Sequence, residues 1–252
     1  MAEKILKGIN FPGLEDTYII PLDDYAMKSE LPVRGVDYWN DEDKAEIAVY
    51  VNNAVYGVID GNIENITNSK VAYVRDYGYY QHQFLQNVDF STATSIGNYS
   101  FYRCPALSSV NVPNTKIIGA FAFKGCQAIT QINFPNAISV DNGAFNECAA
   151  LSSVNIPLVQ SIEAMTFRQC TSLVSIDLPV VTTIKAQAFW GSSVSSVTLR
   201  SSTVCTLEDV NAFAFTPIET GIGKIYVPAN LLDAYKVAEN WSAYADRFAA
   251  IA

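Results

Sequence analysis

The stretch VDNGAFNECAALSSVNIP, Val140 to Pro157, contains the pattern that decides the fold. Its second half, LSSVNIP, alternates apolar and polar residues, and this period of two predicts a strand with one buried face. Pro157 is expected to end the strand because proline has no N–H to donate to a ladder. The first half should return the chain across the other side of the unit, with Phe145 inserted into the core.

The same unit recurs along the chain with a period of 22 residues, written I-x-x-x-A-F-x-x-C-x-x-L-x-x-V-N-I-P. The columns that keep this spacing are Cys104, Cys126, Cys148 and Cys170; Pro113, Pro135, Pro157 and Pro179; Phe101, Phe123, Phe145, Phe167 and Phe189; and Ile96, Ile118, Val140, Ile162 and Ile184. The register extends back to Val74, with His82 in the cysteine position, and forward to Pro228 after one deletion and one insertion. Seven coils are counted.

A single coil cannot cover its own apolar face, so the coils should stack into a solenoid with parallel sheets. The motif resembles the BspA-like, or Treponema pallidum-type, class of bacterial leucine-rich repeats. The expected fold is therefore an α/β repeat protein: a leucine-rich-repeat solenoid over residues 74–228, a β-rich N-terminal cap and a helical C-terminal cap over residues 229–252. The resemblance implies adhesion or protein binding at surfaces rather than catalysis.

The N-terminal region, residues 1–73, differs from the repeats and is expected to form a cap and an attachment segment. Alternation and an Asn-Asn turn predict a hairpin between Glu46 and Asp60. Residues 1–44 are acidic, contain several Pro and Gly residues, and indicate an extended arm. The opening KILKGINFPGLEDTYIIP resembles short head segments of phage and prophage structural proteins. This resemblance implies that residues 1–70 contact virion proteins.

Charge argues against two classes of partner. The net charge is −9, and residues 1–64 alone hold 13 acidic and 5 basic residues. This balance lacks the basic surface that binds phosphates, so neither nucleic acid nor an anionic membrane is an expected partner. No apolar run has the ~18 residues of a membrane span, and the N-terminus has no signal-peptide pattern. Synthesis in the cytoplasm is predicted, with display on a virion surface as the proposed destination.

The cysteine column is interpreted as a wall and not as a reactive site. Cysteines on neighbouring coils should lie ~4.8 Å apart with parallel side chains. Such a column cannot converge on one zinc ion, and disulfides need shorter Cβ–Cβ distances. Small apolar cysteines suit a tight interior corner instead. Cys205 lies outside the register and is also expected to be structural.

Catalytic and cofactor sites are not expected. His82 is the one histidine of the chain, and its position predicts a packed or hydrogen-bonded residue rather than the base of a catalytic triad. The carboxylates at Asp23–Asp24 and Asp41–Asp43 lack calcium-loop spacing, and no phosphate-binding loop occurs. The chain is therefore predicted not to be an enzyme, with no metal and no cofactor.

The outward strand positions are the candidate ligand-binding residues. They form two columns of small hydroxyl and amide side chains with almost no charge and no aromatic residue. The first column is Asn87, Ser109, Gln131, Ser153, Ser175 and Ser196; the second is Asp89, Asn111, Asn133, Asn155, Asp177 and Thr198. One interpretation is a flat surface that binds a protein or a glycan of a host or matrix surface. The alternative is a solvated face whose side chains satisfy one another along the stack.

A second group of interest is aromatic. Tyr38 and Trp39 precede an acidic run, and the first coil is crowded with tyrosines; these side chains are expected to pack in the cap, although tyrosine-rich patches are also common in interfaces. The tyrosines of the first coil are Tyr73, Tyr77, Tyr79 and Tyr80.

Three functions remain open at this point. The first is a non-catalytic adhesion or binding protein displayed on a phage or prophage particle. The second is a cytoplasmic or assembly scaffold that binds another subunit. The third is a bacterial cell-surface adhesin exported by an atypical route.

Overall fold

A computed structural model describes residues 64–251. Each coil contains a longer strand, a two-residue strand and a segment of tight turns, so the solenoid has three sides. The strands are β1 (Asn65–Thr67), β2 (Tyr73–Val74), β3 (Asn87–Asp89), β4 (Ser95–Ile96), β5 (Ser109–Asn111), β6 (Ile117–Ile118), β7 (Gln131–Asn133), β8 (Ser139–Val140), β9 (Ser153–Asn155), β10 (Ser161–Ile162), β11 (Ser175–Leu178), β12 (Thr183–Ile184), β13 (Ser196–Leu199), β14 (Thr206–Leu207), β15 (Lys224–Val227) and β16 (Phe248–Ala250).

Neighbouring coils pair in parallel with a step of one repeat. The longer strands form the sheets β1-β3-β5, β7-β9 and β11-β13-β15-β16, one after another along one side. The short strands form β2-β4-β6-β8 and β10-β12-β14 on a second side. In the register of the central pair, Gln131 lies beside Ser153 and Asn133 beside Asn155. The predicted parallel-sheeted leucine-rich-repeat solenoid is confirmed.

The third side consists of stacked turns, and we call it the turn side. Its backbone groups bond to the next coil; the N–H of Phe123, for example, donates to the carbonyl of Ala144 at 2.8 Å. Two positions in most coils have a left-handed backbone, and many of them carry bulky residues, such as Tyr99 with φ of 55° and Met165 with φ of 60°. The left-handed conformation costs energy for residues other than glycine, so the stacking of the coils must hold these turns in place.

A column of aromatic rings runs through the core. One fully or almost fully buried ring comes from each coil, and successive rings are stacked with centroids 5.1 to 5.8 Å apart. The rings are Tyr79, Phe101, Phe123, Phe145, Phe167, Phe189 and Phe213. One ring per coil gives the seven coils that the sequence predicts.

The C-terminal region closes the last coil with short helices and one strand. Helix α1 (Pro217–Thr220) lies within the last coil, and helix α2 (Leu232–Val237) lies between 3-10 segments at Ala229–Leu231 and Trp241–Arg247. The predicted helical C-terminal region is confirmed, but it does not continue through Phe248. That residue begins β16, which pairs in parallel with β15 and extends the sheet of longer strands.

Polar groups on the aromatic residues of this cap satisfy the backbone of the last coil. The Trp241 Nε1 group donates to the carbonyl of Cys205 at 2.5 Å, and the Cys205 N–H donates to the Tyr235 hydroxyl at 2.9 Å. The Tyr244 hydroxyl donates to the carbonyl of Val210 at 2.5 Å. Large rings with polar atoms can therefore cover both the apolar end and the exposed backbone of the solenoid.

At the other end, the strand ladder begins at Asn65, before Val74, the residue at which the sequence analysis placed the first repeat. Asn65 lies beside Asn87 in the register of β1 and β3. The predicted hairpin at residues 46–60, the arm at residues 1–44, and Tyr38 and Trp39 lie outside the described residues.

Candidate functional site

The two predicted columns lie on the longer strands and face outward. Asn87, Asp89, Ser196 and Thr198, at the two ends, are half-buried, while the members on the central strands are exposed: Ser109, Asn111, Gln131, Asn133, Ser153, Asn155, Ser175 and Asp177. The apolar residues between them point inward; Ile132, for instance, is buried. The strand period of two therefore places all twelve candidate residues on one surface, which we call the strand face.

Only a few of these side chains bond to one another. Asn155 Nδ2 donates to Asn133 Oδ1 at 2.6 Å, Asn87 bonds in the same way to Asn65 at 2.5 Å, and Asp177 pairs with Arg200. Eight of the twelve form no side-chain hydrogen bond within residues 64–251: Asp89, Ser109, Asn111, Gln131, Ser153, Ser175, Ser196 and Thr198. Most side chains of the strand face thus keep their donors and acceptors for water or a ligand. The alternative, in which side chains bond to one another along the stack, is seen for two amide pairs, Asn133–Asn155 and Asn65–Asn87.

The cysteine column is a buried wall, and its thiols form one repeated contact. Cys126 Sγ donates to the carbonyl oxygen of Phe101 at 3.0 Å, and Cys148 Sγ donates to that of Phe123 at 3.1 Å. Each of these carbonyls also accepts the backbone N–H of the cysteine in its own coil, as Phe101 does from Cys104 at 3.2 Å. The thiol supplies the second donor to a buried carbonyl, which is a structural role.

Burial disfavours the thiolate form at three members of the column, Cys126, Cys148 and Cys170. Burial raises the pKa of Cys148 to about 12 and raises that of Cys126 and Cys170 well above the ordinary thiol value. The thiolate is the nucleophile and the metal ligand, so neutral thiols do neither task. Within residues 64–251 all five cysteines are free and buried, and no group of metal-ligating side chains assembles.

The two remaining single candidates are also structural. His82 is buried, and its Nδ1 atom accepts the backbone N–H of Leu85 at 3.0 Å. Cys205 is fully buried, and both its N–H and its carbonyl bond to aromatic residues of the cap. Burial raises the pKa of the Cys205 thiol to about 12.

The first-coil tyrosines occupy different sides of the described structure. Tyr79 belongs to the core column, whereas Tyr77 is 41% exposed and lies on the turn side. Its ring stacks on Tyr99 of the next coil with centroids 5.0 Å apart and planes at 3°, and Tyr80 stacks on Tyr102 at 5.0 Å and 6°. We call Tyr77, Tyr80, Tyr99 and Tyr102 the tyrosine cluster.

Sequence reasoning missed Tyr99 and Tyr102. Both lie one period after a first-coil tyrosine, so the spacing of 22 that identified the other columns could have found them. Tyr73, by contrast, is 47% exposed and lies on β2, on the side of the short strands.

A second aromatic group occupies the same turn side near the C-terminal end. The Phe215 side chain is 69% exposed, and its backbone is left-handed, with φ of 60°. Its ring and the Trp190 ring form a T-shaped pair with centroids 5.0 Å apart, and the Arg168 guanidinium lies 4.5 Å from the centre of the Trp190 ring. Tryptophan and arginine are common anchors of interfaces. Within residues 64–251, the exposed rings of Tyr77 and Phe215 lie on the turn side, and that of Tyr73 lies on the side of the short strands.

These coils and their repeated columns define a leucine-rich-repeat protein. The family of BspA type leucine rich repeat regions matches the chain in six copies, over residues 60–161 and 94–219. The chain belongs to this family. Leucine-rich-repeat proteins of this kind are typically non-enzymatic. A comparison with curated proteins finds no match.

Solved structures of bacterial proteins share the fold. A leucine rich cell surface protein from Faecalibacterium prausnitzii is 26% identical with a TM-score of 0.61, over 79% of this chain and 56% of that protein. A leucine-rich repeat protein from Bacteroides ovatus is 23% identical with a TM-score of 0.52, over 66% of this chain and 44% of the other. A leucine-rich repeat protein of T. pallidum is 22% identical with a TM-score of 0.50, over 56% and 74%. The chain spans about half of the first two proteins.

Residues 64–251 contain no helix with the length and apolar character needed to cross a membrane.

Proposed function

We propose that this chain is a non-catalytic binding protein whose strand face contacts a protein or a glycan on a host or matrix surface. The observation that carries the proposal is the set of eight outward hydroxyl, amide and carboxylate side chains that form no hydrogen bond within the described residues. They stand in register on six parallel strands. Ordered polar groups of this kind can bond to a ligand without a large loss of conformational entropy.

Adhesion at a bacterial cell surface is the setting that we favour. The structure from F. prausnitzii is described as that of a cell surface protein, and its repeats resemble those of this chain. Display on a phage particle has no comparable support, because the organisms named for the similar structures are bacteria. Attachment through residues 1–70 and a scaffold role inside the cell remain hypotheses from the sequence alone.

The test is a binding screen of the full chain on arrays of purified glycans and extracellular-matrix proteins. The informative variant is the pair Asn133→Ala and Gln131→Ala, which removes amides from the centre of the strand face. The matched control is Gln160→Ala, which removes an exposed amide next to β10, on the side of the short strands. We expect any bound ligand to be lost in the double variant and kept in the control, with unchanged circular dichroism. Equal binding by both variants would refute the strand face as the site.

A further inference from the structure

We propose a second interaction surface, on the turn side, that binds an acidic segment of a partner protein. The surface consists of the tyrosine cluster and the adjoining side chain of Arg103. It is separate from the strand face, since its residues lie in the turns and not on the longer strands. The two proposals can therefore fail independently.

The rings of the tyrosine cluster are locked by one another. The two stacked pairs stand side by side, with Tyr77 tilted by 53° against Tyr80 at 5.6 Å and Tyr99 tilted by 53° against Tyr102 at 5.6 Å. Phe121 continues the first stack at 5.3 Å from Tyr99. Such fixed rings lose little conformational entropy when a partner binds, which is one reason that tyrosine is common in binding surfaces.

The orientation of the rings decides which chemistry they can offer. Within each stacked pair, one ring covers a face of the other. Lys124, which belongs to the following coil, lies 5.8 Å from the centre of the Tyr102 ring. A sugar stacks on an open ring face, and this cluster does not offer a stack of open faces. Its ring edges carry the positive side of the aromatic quadrupole, and these edges favour carbonyl and carboxylate oxygens.

The hydroxyl groups of the cluster are available. None of the four phenols forms a hydrogen bond to another described residue. The pKa of Tyr99 is raised, chiefly by burial and further by the neighbouring phenols of the cluster. The Tyr99 hydroxyl thus stays a protonated donor at neutral pH, suited to an accepting oxygen on a partner.

Arg103 supplies the positive charge. Its guanidinium lies 5.4 Å from the centre of the Tyr102 ring, and it forms no ion pair within residues 64–251. The neighbouring Gly125 has φ of 75°, and a Cβ there would lie 3.1 Å from Arg103 Cγ, so this glycine leaves room for the arginine. An arginine held against a ring and lacking a carboxylate partner can bind a carboxylate with two parallel hydrogen bonds.

A shallow groove of about 450 Å³ begins at the same arginine. Besides Arg103 it is lined by Pro105, Gly125 and three glutamines, Gln81, Gln83 and Gln127, and by Glu147. Glu147 is the one acidic residue in this lining, and Lys124 pairs with it at 3.2 Å. The groove can therefore accept the carboxylate of an acidic side chain at Arg103 while its amides donate to the backbone of the same segment.

The net charge of the protein, −9, does not favour the binding of an acidic peptide. The overall field of the protein repels an acidic peptide, so binding would have to come from the local cations and donors of the turn side. Surface charges interact over a Debye length of ~8 Å at physiological salt. The binding should accordingly depend on residues of this patch and not on the total charge.

The experiment measures the fluorescence anisotropy of a labelled deca-glutamate peptide with the full chain, beside a neutral Gly/Ser peptide and dextran sulfate. We expect the glutamate peptide to bind, the neutral peptide not to bind, and Arg103→Gln to weaken binding by about tenfold or more, as for loss of a charge-assisted hydrogen bond. Arg200→Gln removes the same charge from the strand face, where that arginine pairs with Asp177, and should change binding less than about twofold.

A second variant tests the phenols without removing the rings. The change Tyr99→Phe with Tyr102→Phe keeps the stacks and deletes two donors, and we expect binding to weaken by several-fold at unchanged circular dichroism. The proposal is overturned if deca-glutamate does not bind, or if the two arginine variants weaken it equally. It is also overturned if dextran sulfate binds tightly and the glutamate peptide does not, because the surface would then recognise an anionic glycan.

Discussion

Truncation of one member of the cysteine column, Cys126→Ala, should destabilise the solenoid by about 1.5 kcal/mol. The side chain is fully buried, and its sulfur donates to the Phe101 carbonyl at 3.0 Å. Removal of one buried heavy atom costs ~0.8 kcal/mol in transfer free energy. The remaining cavity of about 20 Å³ adds roughly 0.5 kcal/mol at ~24 cal/mol per Å³. The lost thiol hydrogen bond adds a few tenths, since such bonds are weak.

The lost thiol hydrogen bond contributes little to the destabilisation because the Phe101 carbonyl keeps a second donor. The Phe101 oxygen also accepts the N–H of Cys104 at 3.2 Å, a bond that the substitution does not remove. A buried carbonyl with no donor would cost more, roughly 1 to 3 kcal/mol. The variant Cys126→Ser separates the two terms, because its hydroxyl can donate to the same oxygen while the volume is nearly kept. Ser192 already occupies this slot in a later coil.

The assay is urea unfolding followed by circular dichroism and by tryptophan fluorescence, whose agreement supports a two-state treatment. Ser109→Ala, on the exposed strand face, is the control and should fall within about 0.5 kcal/mol of the wild type. Coincident unfolding curves for Cys126→Ala and the wild type would refute the claim that this column is close-packed. A serine variant less stable than the alanine variant would refute the proposed value of the thiol hydrogen bond.

Two further predictions concern pH and the cap. Because burial raises the pKa of Cys148 to about 12 from an ordinary 9.0, and those of Tyr235 and Tyr244 to about 12 from an ordinary 10.0, the folded state holds protons that the unfolded state releases. Stability should therefore be complete below about pH 9 and decline towards pH 12, as measured by urea midpoints across that range; a flat profile would contradict the assignment. Trp241→Phe removes the donor to the Cys205 carbonyl and should lower the free energy of unfolding by about 1 to 3 kcal/mol. Trp190→Phe, on the turn side, is the control and should lower it less. Thermal melts of both variants measure this difference, and equal losses would contradict the prediction.

Much of the architecture could be predicted because the same pattern of apolar and polar residues recurs in every repeat. One LSSVNIP segment is only a strand candidate, but the recurrence of its apolar columns at one spacing fixes the parallel register of whole sheets. The interior cysteines followed from the same register. Periodicity alone did not reveal the partner of each thiol, since the Phe101 carbonyl lies 25 residues before Cys126 and belongs to the previous coil.

The turn side could not be predicted from local signals. Left-handed positions are usually marked by glycine, and here several are occupied by bulky residues such as Tyr77, Phe121 and Phe215. Backbone hydrogen bonds between coils impose this conformation, so tertiary structure overrides residue preference. Without the conformation of these turns, the sequence does not show that Tyr77 and Tyr80 stack on Tyr99 and Tyr102 of the second coil.

The C-terminal tail shows the same dependence on a neighbour. Phe248 follows a helical segment of apolar spacing, and its local sequence gives no reason to leave it. The open edge of β15 supplies that reason, because its unpaired backbone groups accept β16 as one more parallel strand. Covering an exposed edge also removes a site for unwanted strand pairing. The solenoid thus uses its core and its C-terminal cap for stability, and recognition is proposed for two of its three sides, the strand face and the turn side.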